Sequence, residues 1–190
     1  MSITDDYEKR LEQASSIENA LDKRLWVLGV ISDRLMEDGI IPVLVGGAAV
    51  EFYTLGGYAT KDVDVVLIPE VSIDSAMTQL GFRQEGRFWV RDDIDVVLEA
   101  PRGPLAGDAD RVLRLSVGGS SISVLGIEDL IVDRLNAYVH WQSSEDGRWV
   151  SRLISQQREE LDLDYLTARA KEERVEEALR ELLENSDANN

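Results

Sequence analysis

The chain has no cysteine and a single histidine, His140. Disulfides, zinc–thiolate sites and cysteine nucleophiles are therefore excluded, as is any metal centre built on several histidines. A divalent metal here must be held mainly by oxygen, which selects hard ions such as magnesium, manganese or calcium. Lysine is scarce as well: Lys9, Lys23, Lys61 and Lys171 are the whole complement among 20 basic residues, set against 37 Asp and Glu, for a net charge of −17. That excess opposes non-specific binding of nucleic acid, which depends on neutralising phosphates with Lys and Arg. It is the balance expected of a salt-adapted, halophilic cytoplasm, where a dense carboxylate surface stays hydrated and screening blunts its self-repulsion. A GC-rich genome gives the same preference for Arg over Lys. Long apolar runs are missing too. The longest, Ile40 to Val45 around Pro42, is far short of the roughly 20 residues of a membrane-spanning helix. The first residues lack a basic segment followed by an apolar one. The expectation is a cytoplasmic protein with no membrane partner.

At 190 residues the chain suits one domain with a helical extension. Residues 1–15 read as a polar N-terminal segment, frayed over Met1 to Glu12. From Ile17 to Leu35 apolar residues recur at helical spacing, which predicts a first helix over about Ser16 to Glu37, stopped at Asp38-Gly39. Ile40 to Val45 reads as a buried strand running into a tight turn at Gly46-Gly47, and Ala48 to Leu55 as a short helix closed by Gly56-Gly57. Asp62 to Ile68 is a second strand, Ser72 to Leu80 a helix, and Phe88 to Val90 with Ile94 to Leu98 a hairpin. Val112 to Val117 and Ser121 to Val124 form another hairpin. From residue 126 the pattern is helical to about residue 184, so an α/β core over 16–125 precedes a C-terminal helical region over 126–184. Residues 185–190 read as a disordered tail. The fold class is α+β, a mixed sheet flanked by helices.

Gly46-Gly47 stands where a buried strand meets a helix. Residues without Cβ let a phosphate approach the backbone, and the first N–H groups of the helix favour an anion there; the plainer reading is a tight turn. Asp62 and Asp64, two apart on a strand, project from one face about 7 Å apart at their Cα atoms. Inside a fold they repel unless a cation lies between them or one is protonated. A solvated strand edge is again the plainer reading. Asp95 follows in a repeated wording, Asp-Val-Asp-Val-Val and Asp-Ile-Asp-Val-Val. If its strand pairs with the second one, three carboxylates can surround one or two hard cations, as phosphoryl and nucleotidyl transfer requires. Asp93, of opposite strand parity, is the alternative third ligand; Asp95 is preferred.

The segment Val43-Leu44-Val45-Gly46-Gly47-Ala48-Ala49, followed by Thr60-Lys61-Asp62-Val63-Asp64-Val65-Val66, resembles the nucleotidyltransferase superfamily motif. The wording is closest to the AbiEii-type toxin nucleotidyltransferases and their bacterial and archaeal relatives. A second block, Gly126 to Trp141, resembles the helix that follows the sheet in that branch. The resemblance covers about residues 40 to 160 and implies a nucleotidyltransferase fold. It also implies that Gly46 and Gly47 contact phosphate, that Asp62 and Asp64 bind magnesium or manganese, and that Asp95 completes the site as general base or metal ligand. Arg134 would face the nucleotide phosphates. Where many relatives carry Arg shortly before Asp-x-Asp, this chain has Tyr58, and Lys61 is the compensating candidate.

The function so implied is magnesium-dependent transfer of NMP from an NTP, ATP among the candidates, to a hydroxyl of a tRNA, a protein or a small molecule. The alternative is a nucleotide-sensing or toxin–antitoxin partner module on the same fold. Val175, Leu179, Leu182 and Leu183 are candidate contacts for a partner protein through the C-terminal helices. His140-Trp141 reads as a half-buried His packed by its neighbour, and Trp89 with Phe82 and Phe88 as hairpin packing.

Overall fold

A computed structural model describes residues 3–187. Its elements in chain order are α1 (Ile3–Ala14), α2 (Ala20–Glu37), β1 (Ile41–Leu44), α3 (Gly46–Tyr53), β2 (Asp62–Ile68), α4 (Asp74–Gln79), β3 (Arg83–Glu85), β4 (Phe88–Arg91) and β5 (Val96–Glu99). After a short 3-10 turn come β6 (Leu113–Val117), β7 (Ser120–Val124), α5 (Ile127–His140), α6 (Ser144–Gln157), α7 (Leu163–Glu172) and α8 (Glu176–Asp187). The strands form one mixed sheet of seven in the order β3-β4-β5-β2-β1-β7-β6. The β1/β7 and β2/β5 neighbours are parallel and the remaining pairs antiparallel. The α+β class with helices flanking a mixed sheet is the one expected.

From Ile3 to Ala14 the N-terminal segment is a helix instead of the frayed stretch expected, Met1 and Ser2 lying outside the described residues. Tyr7, Leu11 and Ala14, at spacings of four and three, form a buried stripe on α1, enough to dock a helix whose other faces are polar. Polar contacts fix its pose: Tyr7 donates to Glu37 at 2.7 Å, Arg10 to Asp33 at 2.7 Å, and the Trp26 indole N–H to the Arg10 carbonyl at 2.8 Å. The expected first helix is therefore two helices. Ser15 and Ser16 close the first, and Asn19 caps the second by accepting from the Asp22 N–H at 3.0 Å. At the other end α8 reaches Asp187, so residues 185–187 of the expected disordered tail are helical, while residues 188–190 lie outside the described residues. β3, short and exposed, went unpredicted.

α2 lies across β1 and β7, with Leu25, Leu28, Ile31 and Leu35 buried at helical spacing. α3 packs on β2 and meets α5 and α6. The join between sheet and C-terminal helices is tied by Tyr53 donating to the Leu125 carbonyl at 2.9 Å and by Gln157 donating to the Tyr53 carbonyl at 3.0 Å. In the helical region Asp129, buried, accepts from the Tyr165 hydroxyl at 2.9 Å, the Asp108 N–H at 3.0 Å and Arg169 at 3.3 Å. His140 and Trp141 are both exposed, Trp141 by 79%, so the half-buried histidine expected there is not found. Among the described residues no helix is long and apolar enough to cross a membrane.

Leu11→Ala should cost about 2–5 kcal/mol of unfolding free energy in urea titration, the range for emptying a filled leucine site. A loss below about 0.5 kcal/mol, the scale of surface changes, would show that α1 does not belong to the core.

Candidate metal and phosphate site

β2 alternates half-buried Asp62 and Asp64 with buried Val63 and Val65, so the two carboxylates share a face. β5 lies parallel beside it, and the register sets Val97 opposite Asp62 and Glu99 opposite Asp64. Carboxylate oxygens of Asp62, Asp64 and Glu99 come within 4.8 Å of one another. Ionised carboxylates accept hydrogen bonds and donate none, so such a group is strained unless a proton or a cation joins it. The strain falls on Asp64: burial above all, then the charges of Asp62 and Glu99, push its carboxyl up to about 6. The Arg134 charge and the Gly47 N–H pull in the other direction without prevailing. Three oxygen donors at this spacing suit a hard divalent cation.

Asp95 does not join them. Residues 92–95 form a turn in which the Asp95 N–H donates to the Asp92 carbonyl at 3.2 Å, and Asp95 itself is left-handed at φ 53°. The strand begins only at Val96, so the parallel register brings Glu99, four residues further on, beside Asp64. Asp93, the alternative, is held by Arg91 at 3.0 Å. Strand parity admits Glu99 as readily as Asp95; the repeated wording Asp-x-Asp-Val-Val points at the wrong member, because resemblance of two segments does not set their pairing.

Gly46 and Gly47 open α3 instead of preceding it. Gly46 has φ 60°, and a Cβ there would lie 2.6 Å from Asp64 Oδ2, so both its backbone and its neighbour demand glycine. The Val45 N–H donates to the Asp64 carbonyl at 2.9 Å, and the Asp64 carboxylate accepts from the Gly47 N–H. The anion at this helix start is thus a side chain of the protein. A Cβ on Gly47 would meet the Tyr58 ring at 2.9 Å, and that ring stands edge-on to Trp149 of α6, centroids 4.9 Å apart.

Arg134, on α5, acts electrostatically on both Asp64 and Tyr58. Its guanidinium is shared between Asp133 at 2.6 Å and Asp146 at 3.1 Å. Lys61 stands apart: it lines a separate cavity with Lys23, Arg24 and Asp95. A cavity of about 650 Å³ has Glu99 in its lining together with Leu67, Ile73 and Trp89.

No family profile and no curated protein sequence matches the chain. Among solved structures it is similar to the crystal structure of an antigenic nucleotidyltransferase-like protein from Paracoccidioides brasiliensis. The two are 20% identical, with a TM-score of 0.52, over 77% of this chain and 76% of that one. At that identity the likeness establishes a nucleotidyltransferase-like fold.

The raised Asp64 carboxyl sets a pH dependence in metal-free, chelator-treated buffer. A folded-state value near 6, above the ordinary 3.8, means the folded chain holds a proton that the unfolded chain has released. The resulting penalty on stability is absent below about pH 4 and complete above about pH 6. Asp64→Asn should therefore raise the melting temperature at pH 7.5, with the gain vanishing toward pH 4. Equal melting curves for the two proteins at both pH values would refute the strain at Asp64.

Proposed function

We propose that this chain is a magnesium-dependent nucleotidyltransferase that moves a nucleoside monophosphate from an NTP to an acceptor hydroxyl. The observation that carries the reading is the convergence of Asp62, Asp64 and Glu99 beside the Gly46-Gly47 start of α3. A divalent cation held by these three carboxylates, magnesium or manganese by the hardness of the donors, supplies charge neutralisation to the phosphates. Glu99 takes the third place for which Asp95 was the sequence candidate.

The chain's own groups then have distinct tasks. Once Asp64 turns from the Gly47 N–H toward the cation, the helix start is released to hold a phosphate, and the missing side chain of Gly46 leaves room on that side. Arg134 keeps a positive charge facing the same place, positioned by Asp133 and Asp146. The Tyr58 ring, packed edge-on to Trp149, borders the cradle beside Gly47 and is the aromatic group within reach of a base. In the transfer the acceptor hydroxyl oxygen bonds to the α-phosphorus, the bond from that phosphorus to the bridging oxygen breaks, pyrophosphate leaves with the electron pair, and the hydroxyl proton passes to one of the three carboxylates.

One observation favours a second reading, a nucleotide-sensing module without transfer: the cradle is filled by Asp64 and covered by Tyr58. Incubation with each labelled NTP and magnesium, with total RNA and lysate as acceptor sources, separates the two. The first reading expects transferred label and pyrophosphate release, reduced at least about 100-fold in Asp62→Asn, Asp64→Asn and Glu99→Gln. Calorimetry should show magnesium-linked nucleotide binding in the wild type and in Asp95→Asn, and its loss in Glu99→Gln. Binding without transfer would establish the sensing module, and no magnesium-linked binding in the wild type would end both readings.

A further inference from the structure

We propose that the cavity between the start of α2 and the start of β2 docks a sugar phosphate, the acceptor whose hydroxyl receives the nucleotide. Its assignment as acceptor rests on the transfer reading above; the binding itself does not. The cavity measures about 360 Å³ and is lined by Glu18, Lys23, Arg24, Thr60, Lys61 and Asp95, which is within the range of small-molecule sites.

Two of the chain's four lysines meet here from elements far apart in sequence. The protein carries a large surplus of carboxylates, yet among the described residues neither Lys23 nor Lys61 has an ion-pair partner. The third cation, Arg24, is neutralised through Nη2 by buried Glu51, but its Nε–H is buried and donates to nothing. Two ammonium groups around one cavity supply the donors that the acceptor oxygens of a phosphate monoester require.

The remaining lining narrows the ligand. Glu18 and Asp95 would repel a bare anion, whereas carboxylates accept readily from hydroxyls. Phosphate on one side and hydroxyls on the other describe a phosphorylated sugar. The turn that removes Asp95 from the metal-binding carboxylates is what brings it here.

The cavity borders the carboxylate cluster through two residues. The Thr60 hydroxyl lines it and donates to Asp62 Oδ1 at 2.8 Å, and Val97, which lines it too, is the register partner of Asp62. A sugar anchored by its phosphate at Lys23 and Lys61 therefore has its far hydroxyl directed across Thr60 toward Asp62, while the nucleotide occupies the Gly46-Gly47 side. The two ligands would reach the carboxylates from different sides and need not compete.

Calorimetry with ribose 5-phosphate, in chelator and without nucleotide, tests this on the full chain. Binding is expected in the wild type, weakened about tenfold or more in Lys23→Met/Lys61→Met. It should change less than about twofold in Lys9→Met/Lys171→Met, which alters net charge equally. Ribose and inorganic phosphate should each bind more weakly than the joined molecule. Equal binding by wild type and Lys23→Met/Lys61→Met, equal loss in both double variants, or no binding in the wild type would overturn the pocket. Displacement of ribose 5-phosphate by magnesium and NTP would overturn its assignment to the acceptor. Asp64→Asn should keep ribose 5-phosphate while losing magnesium-linked nucleotide, so failure of the carboxylate site and failure of this pocket are read separately.

Discussion

The Asp64 carboxylate rests on the first turn of α3, against a glycine whose Cβ position lies 2.6 Å from its oxygen and on the N–H of the next glycine. Three elements are fixed by that contact. β1 delivers Val45, whose N–H holds the Asp64 carbonyl at 2.9 Å; β2 delivers the side chain; α3 can start nowhere else, because Gly46 alone accepts the left-handed backbone beside a carboxylate. The antiparallel register of Leu44 with Val65 follows from the same tie. A helix start and a carboxylate attract, but burial and two neighbouring carboxylates oppose ionisation. The Asp64 carboxyl is therefore pulled toward the helix start by one interaction and toward a proton by the others.

Much of this arrangement is legible in the residues. Gly-Gly between an apolar run and a helical pattern, and two Asp at strand spacing, each identify their local geometry because that geometry depends on near neighbours: the absence of Cβ at one, the two-residue alternation at the other. What is not legible depends on pairing. Glu99 enters the site through the parallel register with β2, a relation between segments that alternation within either one leaves open. The repeated Asp-x-Asp-Val-Val wording favours Asp95, and a four-residue turn with a left-handed residue removes it. α1 was obscured for a related reason. Its apolar stripe is three residues long, Tyr7, Leu11 and Ala14, and its remaining anchors are contacts to Glu37, Asp33 and the Trp26 indole, all invisible until α2 is beside it.

Tyr58 shows how a local departure is absorbed by the fold. In place of a cation before Asp-x-Asp the chain has an aromatic ring, packed on Gly47 and edge-on to Trp149. The positive charge comes from α5, far along the chain, where Arg134 is oriented by carboxylates on either side of it. A guanidinium clamped in this way is fixed in direction, and its two carboxylate partners temper its charge.

The distribution of charge bears on which anions the surface can meet. Arg10, Arg24, Arg34, Arg91, Arg111, Arg134 and Arg169 are each bonded to carboxylates of the chain. Most of them join elements: α1 to α2, α2 to α3, the β4 strand to α1 and the C-terminal helices to one another. Binding a long RNA needs a row of cations able to displace the counterions of successive phosphates. An overall charge of −17 works against it, since each phosphate brought to such a surface meets repulsion beyond the few cations it can contact. A single phosphate between Lys23 and Lys61 would need only local neutralisation, which screening by solvent leaves largely intact at a few ångströms. Acidity of the whole and a pair of lysines at one cavity are therefore compatible: the first works against a polynucleotide, and the second acts only over its own few ångströms.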